Sequence, residues 1–174
     1  MKIIAAVLTI FTATSLTMAQ NTPPQAGDPA PALKLASNEG SVSLSDYKGK
    51  WVVLYFYPKD FTSGCTLEAH NFQRDLAKFE KAGAVILGVS VDSADSHKSF
   101  CAKEGLNFKL LADTDGKVSE SYGSVKDYDG KKMSARNTFI INPEGKVVKT
   151  FIGVKPATHS EEVLQALAEL KKAS

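Results

Sequence analysis

Cysteine is scarce in this sequence: 174 residues carry two, Cys65 and Cys101, beside three histidines. No His/Cys cluster has metal-ligand spacing, so no metal is expected. The stretch Gly130-Lys-Lys-Met-Ser lacks the preceding glycine that a phosphate loop needs, and no Ser/His/Asp signature stands in a recognisable context. Nothing in the chain calls for a cofactor. Charge is not concentrated either. The formal net charge is +2, too near neutral and too evenly spread to indicate nucleic acid. Lys131-Lys132 follows an Asp-Gly turn and Lys171-Lys172 closes a helix pattern; both read as solvated charge, the second also favoured by the helix dipole. The apolar run near the N-terminus is too short for a comfortable membrane span. There is no internal repeat and no linker.

What is present is an ordinary globular composition, 43% hydrophobic and 23% charged, with length enough for one domain and a substantial core. Ahead of it stands a leader. Lys2 supplies a positive start, residues 3–11 an apolar stretch, and Thr17-Met18-Ala19 the small residues of a cleavage site. No cysteine follows for a lipid anchor. Residues 1–19 are therefore expected to be a signal peptide cut after Ala19, and residues 20–174 the mature domain, exported and most simply periplasmic, with no membrane attachment after cleavage. Two cysteines in an exported chain can pair. A domain of this length needs no disulfide to replace a missing core, so chemistry is at least as good a reason for the pair as stability.

Residues 20–31, rich in Pro, Gly and Ala, read as an extended lead-in. Leu33 to Leu35 and Val42 to Leu44 alternate around Ser37-Asn-Glu-Gly40, a β-hairpin signal. Residues 45–49 form a turn or one short helical turn. The apolar run 51–57 reads as a strand buried on both faces, ending at Pro58. Ala69, Phe72, Leu76 and Phe79 then mark one face of a helix over 66–82, stopped by Gly83. A strand at 84–91 precedes a helix capped by Ser93 and closed by Gly105. Residues 109–112 are a short strand, 117–122 one or two helical turns, and 123–135 a polar loop with Asp129-Gly130 at its tip. Strands at 137–141 and 146–152 make a hairpin. Thr158 and Glu161 fit a capping box opening a last amphipathic helix. This order gives an α/β fold: a mixed central sheet with helices on both faces and an N-terminal β-hairpin.

Cys65 stands where the first strong strand hands over to a helix N-terminus. Helical N–H groups and the dipole there stabilise an anion, including a thiolate. Position alone leaves three readings open: an activated nucleophile, a small buried hydrophobe, or half of a structural disulfide.

A cysteine at that junction, in that order of elements, resembles the thioredoxin fold. Cys65-Thr-Leu-Glu68 lacks the Cys-x-x-Cys of thioredoxins proper. Pro58, Thr62 and Cys65 instead match the Pro-x-x-x-Thr-x-x-Cys signature of the peroxiredoxins. The string Tyr57-Pro-Lys-Asp-Phe-Thr-x-Gly-Cys-Thr66, with Arg136-Asn-Thr-Phe-Ile-Ile-Asn142, resembles the bacterioferritin comigratory protein/peroxiredoxin Q branch, over roughly residues 27–170.

The resemblance implies a thiol-dependent peroxidase. Cys65 would be the peroxidatic thiolate, Thr62 a hydroxyl donor, Arg136 the guanidinium that stabilises thiolate and transition state, and Pro58 a shield against water and overoxidation. Taken singly, Thr62 reads as a turn or helix cap, and Arg136 as a surface charge. Glu68 has two readings, an orienting partner for Arg136 or an exposed first-turn carboxylate. Many members of the branch place the resolving cysteine five residues after the first; here that residue is His70. A second pattern in the branch, with the resolving cysteine on the later helix, implies Cys101 and an intramolecular Cys65–Cys101 disulfide. Taken singly, Cys101 reads as a core-facing thiol. Pairing needs the two Cα atoms within about 7 Å, so local unwinding around both is expected. His70, His97 and His159 are read as non-catalytic. The implied partners are a hydroperoxide and a thioredoxin-like or glutaredoxin-like protein reductant, with the chain acting as a monomer. The other classes are an exported thiol–disulfide oxidoreductase, a one-cysteine peroxidase, and a non-enzymatic domain with a structural disulfide.

Overall fold

The computed structural model describes residues 22–173. The leader read in residues 1–19 lies outside the described residues. The described chain opens with a hairpin, β1 (Lys34–Ser37) and β2 (Gly40–Ser43), and a 3-10 turn (Leu44–Tyr47). The centre follows: β3 (Trp51–Phe56), α1 (Ser63–Lys81), β4 (Ala84–Ser90), α2 (Ala94–Glu104), β5 (Lys109–Ala112) and α3 (Lys117–Ser121). A small hairpin comes next, β6 (Val125–Tyr128) and β7 (Lys131–Ser134). The chain then completes the sheet with β8 (Asn137–Ile141) and β9 (Val147–Ile152), and ends in α4 (His159–Lys172).

The main sheet has seven strands in the order β2-β1-β5-β4-β3-β8-β9. The pairs β3–β4 and β4–β5 are parallel, and the outer pairs are antiparallel. Both crossovers step the same way across the sheet, so right-handed connections put α1 and α2 on one face. α4 joins them there. Trp51, Val53, Tyr55 and Tyr57 point into a cluster with Phe72, Phe79, Phe100, Val163 and Leu167. Val52, Leu54 and Phe56 point the other way, to Leu87, Phe139 and Tyr122, with Val118 of α3 against them. Every residue of β3 is buried, which is why its sequence is continuously apolar rather than alternating. Each such side chain contributes about 1.5–3 kcal/mol by leaving water.

Three expectations need correction. α1 starts at Ser63, not at residue 66, which puts Cys65 inside the first helical turn. The expected loop at 123–135 holds the β6–β7 hairpin. Its turn is Asp129 and Gly130 at φ 54° and 80°, the pair of positive angles that an Asp-Gly hairpin turn requires. The capping box of α4 does not form. Thr158 Oγ1 donates to Glu162 Oε1 at 2.6 Å, while Glu161 accepts from Arg74 at 3.1 Å.

Two buried polar groups lock α4 in place. Asp75 of α1 accepts from Arg74, Lys78 and from Ser160 of α4 at 2.6, 2.8 and 2.9 Å. His159 places Nε2 2.7 Å from Thr138 Oγ1 and stands edge-on to Phe72 and Phe151. Burial lowers its pKa to about 4, so it is a neutral core imidazole at neutral pH.

Candidate active site

The site forms where the C-terminal end of β3 meets α1. Pro58 ends the strand and is half-buried. Residues 58–62 then turn back, with Phe61 in the left-handed region at φ 62°, a strained setting for an aromatic residue. Thr62 takes the N-cap position without a side-chain cap bond. The N–H groups of the first turn, which no helix satisfies internally, are therefore left for an incoming anion or oxygen. Cys65 is the third residue of that turn and only 2% exposed.

Arg136 reaches in from the residue before β8. Its Nη2 donates to Cys65 Sγ at 3.2 Å, and its Nη1 donates to Glu68 Oε2 at 2.6 Å. Gly64 makes room for this: a Cβ there would lie 2.9 Å from Arg136 Nη2. Any side chain at that position would push the guanidinium off the sulfur. Of the two readings of Glu68, the structure takes the orienting one. The carboxylate is 1% exposed, and Oε1 is buried with no hydrogen-bond partner. Burial outweighs the neighbouring Arg136 and raises its pKa to about 7.

Thr62 is exposed, and its hydroxyl donates to the Lys59 carbonyl at 3.0 Å. Donation to a peroxide would require it to exchange that turn contact. Cys101 lies on α2 in the same apolar cluster as Cys65. Both thiols are free and buried. Burial, with the negative charges of Asp60 and Glu39, pushes the Cys101 thiol up to about 12. His70 is half-exposed and places Nε2 3.0 Å from Glu104 Oε2 of α2.

Sequence reasoning missed the groups that tie the Cys65 loop to α2. Asp60 accepts from Tyr57 at 2.7 Å and from Ser96 at 2.7 Å, and lies 2.9 Å from His97 Nδ1. Its backbone N–H donates to Asp92 at 2.9 Å. Burial opposes ionisation of Asp60, but the bonds from His97, Tyr57 and Ser96 win and hold its pKa below the usual value. Phe61 packs edge-on against Phe100 of α2 at 5.1 Å. Tyr57, Asp60 and Phe61 stood inside the quoted motif, while Asp92, Ser96, His97 and Phe100 carried no sequence signal.

Glu68 and His159 make a stability prediction. Glu68 rises from 4.5 to about 7, so its protonation favours the fold as pH falls through that range. His159 drops from 6.5 to about 4, so the fold loses stability as pH falls from 6.5 toward 4. The two offset each other in the wild type. Glu68→Gln removes the first. Urea unfolding of that variant is expected to show roughly 2 kcal/mol less stability at pH 4.5 than at pH 7, against a nearly flat wild type.

The family described as the AhpC/TSA family matches residues 26–150. The Peroxiredoxin Bcp of Bacillus subtilis (strain 168) is 43% identical over 151 residues, covering 84% of this chain and 96% of its own. Among solved structures, a cysteine-to-serine mutant of Xylella fastidiosa PrxQ superposes with a TM-score of 0.77 at 36% identity, over 83% of this chain and 97% of that one. The bacterioferritin comigratory protein of Xanthomonas campestris, studied for its alkyl peroxide reduction activity, gives a TM-score of 0.74 at 42% identity, over 79% and 90%. The fold, the match across most of the described residues and these identities agree, and the chain belongs to the AhpC/TSA family, as a thiol-dependent peroxidase of its peroxiredoxin Bcp/Q branch.

Proposed function

We propose that Cys65 is the peroxidatic nucleophile and Cys101 the resolving thiol of this peroxidase. The Cys65 thiolate attacks one peroxide oxygen, the O–O bond breaks, and the departing oxygen takes a proton as water or alcohol. Cys65 is left as sulfenic acid. The observation that carries this reading is the Arg136 guanidinium 3.2 Å from Sγ at an uncapped helix start. Charge moves from sulfur to oxygen in the transition state, and Arg136 with the first-turn N–H groups can follow it. Pro58, at the lip of the turn, limits access of water to the sulfur.

Bulkier hydroperoxides suit the site as well as hydrogen peroxide. A groove of about 510 Å³ runs beside Arg136, lined by Val125, Tyr128, Ile152 and Val154. It offers an apolar surface to an organic tail. The sulfenic acid then condenses with Cys101 to an intramolecular disulfide, which a thioredoxin-like or glutaredoxin-like protein reduces. The residue pattern of the leader supports export, with cleavage after Ala19, and work as a periplasmic monomer with a donor in that compartment. Quenched-flow oxidation of the mature chain, with mass mapping of the sulfur species, tests the scheme. A Cys65 sulfenate forming no faster than in free cysteine overturns it.

Cys101→Ser separates the two halves of the cycle. Sulfenate formation is expected at the wild-type rate, within about twofold, because Cys101 does not touch the reacting oxygens. No intramolecular disulfide should form, and steady-state turnover with the protein donor should fall by about tenfold or more. Unchanged turnover with the same donor would make the enzyme a one-cysteine type.

A further inference from the structure

His97 is completely buried and has no part in the scheme above. Its Nδ1 lies 2.9 Å from the Asp60 carboxylate, which accepts a hydrogen there. In the neutral form of the ring, that bond places the proton on Nδ1 and a lone pair on Nε2. Nε2 is buried with no hydrogen-bond partner. An unused acceptor in a protein core is costly and calls for an explanation.

His97 stands four residues before Cys101 on α2, and both lie on its buried face with Phe100. Residues at that spacing have Cβ atoms about 5–6 Å apart, a gap that side-chain rotation can close. Cys101 has the opposite defect. Its thiol is held up to about 12, so almost none is ionised at neutral pH, and only the thiolate attacks sulfur.

The geometry points to His97 as the proton acceptor for Cys101 in disulfide formation, with Asp60 as its positioning residue. This rests on the peroxidase reading, which supplies the Cys65 sulfenic acid. The step balances. Nε2 takes the Cys101 proton as its sulfur attacks the Cys65 sulfur; the S–S bond forms and the Cys65 S–O bond breaks. The departing hydroxide takes the proton back from the imidazolium and leaves as water. Asp60 lies in the Cys65 loop and His97 on the Cys101 helix, so the relay bridges the two segments that must meet. The titratable groups facing His97 and Cys101 are Asp60 from the loop, Tyr57 and Tyr55 from β3, and Glu39 from the β1–β2 turn. Lys34 and Lys109 are the titratable residues of β1 and β5, the strands packed on α2.

His97→Asn tests this, because the Asn amide can still donate to Asp60 from the Nδ1 position while offering nothing at Nε2. In quenched-flow with hydrogen peroxide, sulfenate formation should stay within about twofold of wild type. Disulfide closure should slow by about 10²-fold, the usual weight of one proton-transfer group. The pH profile should change too. Wild-type closure should level off well below the alkaline range where a buried thiol ionises, while closure in His97→Asn should keep climbing with hydroxide. Unchanged closure, an unchanged profile, or a loss confined to sulfenate formation in the variant overturns the assignment. Absence of fast sulfenate formation in the wild type overturns the peroxidase reading instead. If the variant fails to fold, the wild-type profile decides: closure that climbs without levelling overturns the role of His97.

Discussion

Peroxide consumption by a Cys65→Ser variant should fall by on the order of 10³-fold or more, to the uncatalysed background, with the fold intact. The size follows from the element. Sulfur reacts as a thiolate, which is intrinsically nucleophilic. A serine hydroxyl in the same place stays protonated and has no sulfenic acid chemistry to enter. The structural cost is small. Cys65 is buried, 2% exposed, and serine is slightly smaller with the same shape. Arg136 Nη2 can donate to the serine oxygen in place of Sγ. Thermal unfolding should therefore shift by only a few degrees, corresponding to about 1 kcal/mol. Retained peroxidase activity in that variant would remove Cys65 from the reaction altogether, and a collapsed melt would mark it as a core residue.

How much of this could be read from residues alone depended on whether a group's partner was near in sequence. β3 was legible because burial on both faces writes an unbroken apolar run from Trp51 onward. α2 was legible because Ser93 and Gly105 mark its ends, and the Ser93 hydroxyl does accept from Ser96 N–H at 3.2 Å. The start of α1 was not, since Ser63 and Gly64 are poor helix formers that become helical here to bring Arg136 against Cys65. The β6–β7 hairpin was hidden because its strands are short and mostly polar, leaving only the Asp129-Gly130 turn as a signal. The Asp60–His97 bond joins residues 37 apart, and nothing local announces it. The motif named Cys65 and Arg136 correctly as neighbours, and it could not show that Glu68 is buried beneath them. A first-turn carboxylate looks like a dipole partner in any sequence; only the approach of Arg136 from β8 turns it into a buried anchor.

Arg136→Met should slow sulfenate formation by about 10²- to 10³-fold, the usual weight of one preorganised donor on developing charge. Two effects combine. The sulfur loses its guanidinium donor at 3.2 Å, and the departing oxygen loses a fixed positive charge. Arg136→Lys should recover only part of the rate. A guanidinium holds Glu68 and Cys65 with two different nitrogens at once, and an ammonium on a flexible stem cannot keep both geometries. The decisive comparison is with Glu68. With Arg136 present, Glu68 fixes the guanidinium from below, and Glu68→Gln should cost about tenfold as that anchor loses its charge. With Arg136 already gone, Glu68 has nothing to orient. Freed of the neighbour that lowers its pKa, it stays protonated to pH values above 7 and adds no negative charge beside the sulfur. The double variant should therefore react about as fast as Arg136→Met alone, a strongly non-additive cycle. Additive losses would mean that Glu68 acts on the sulfur or the peroxide directly, and the chain of contacts from Glu68 through Arg136 to Cys65 would have to be redrawn.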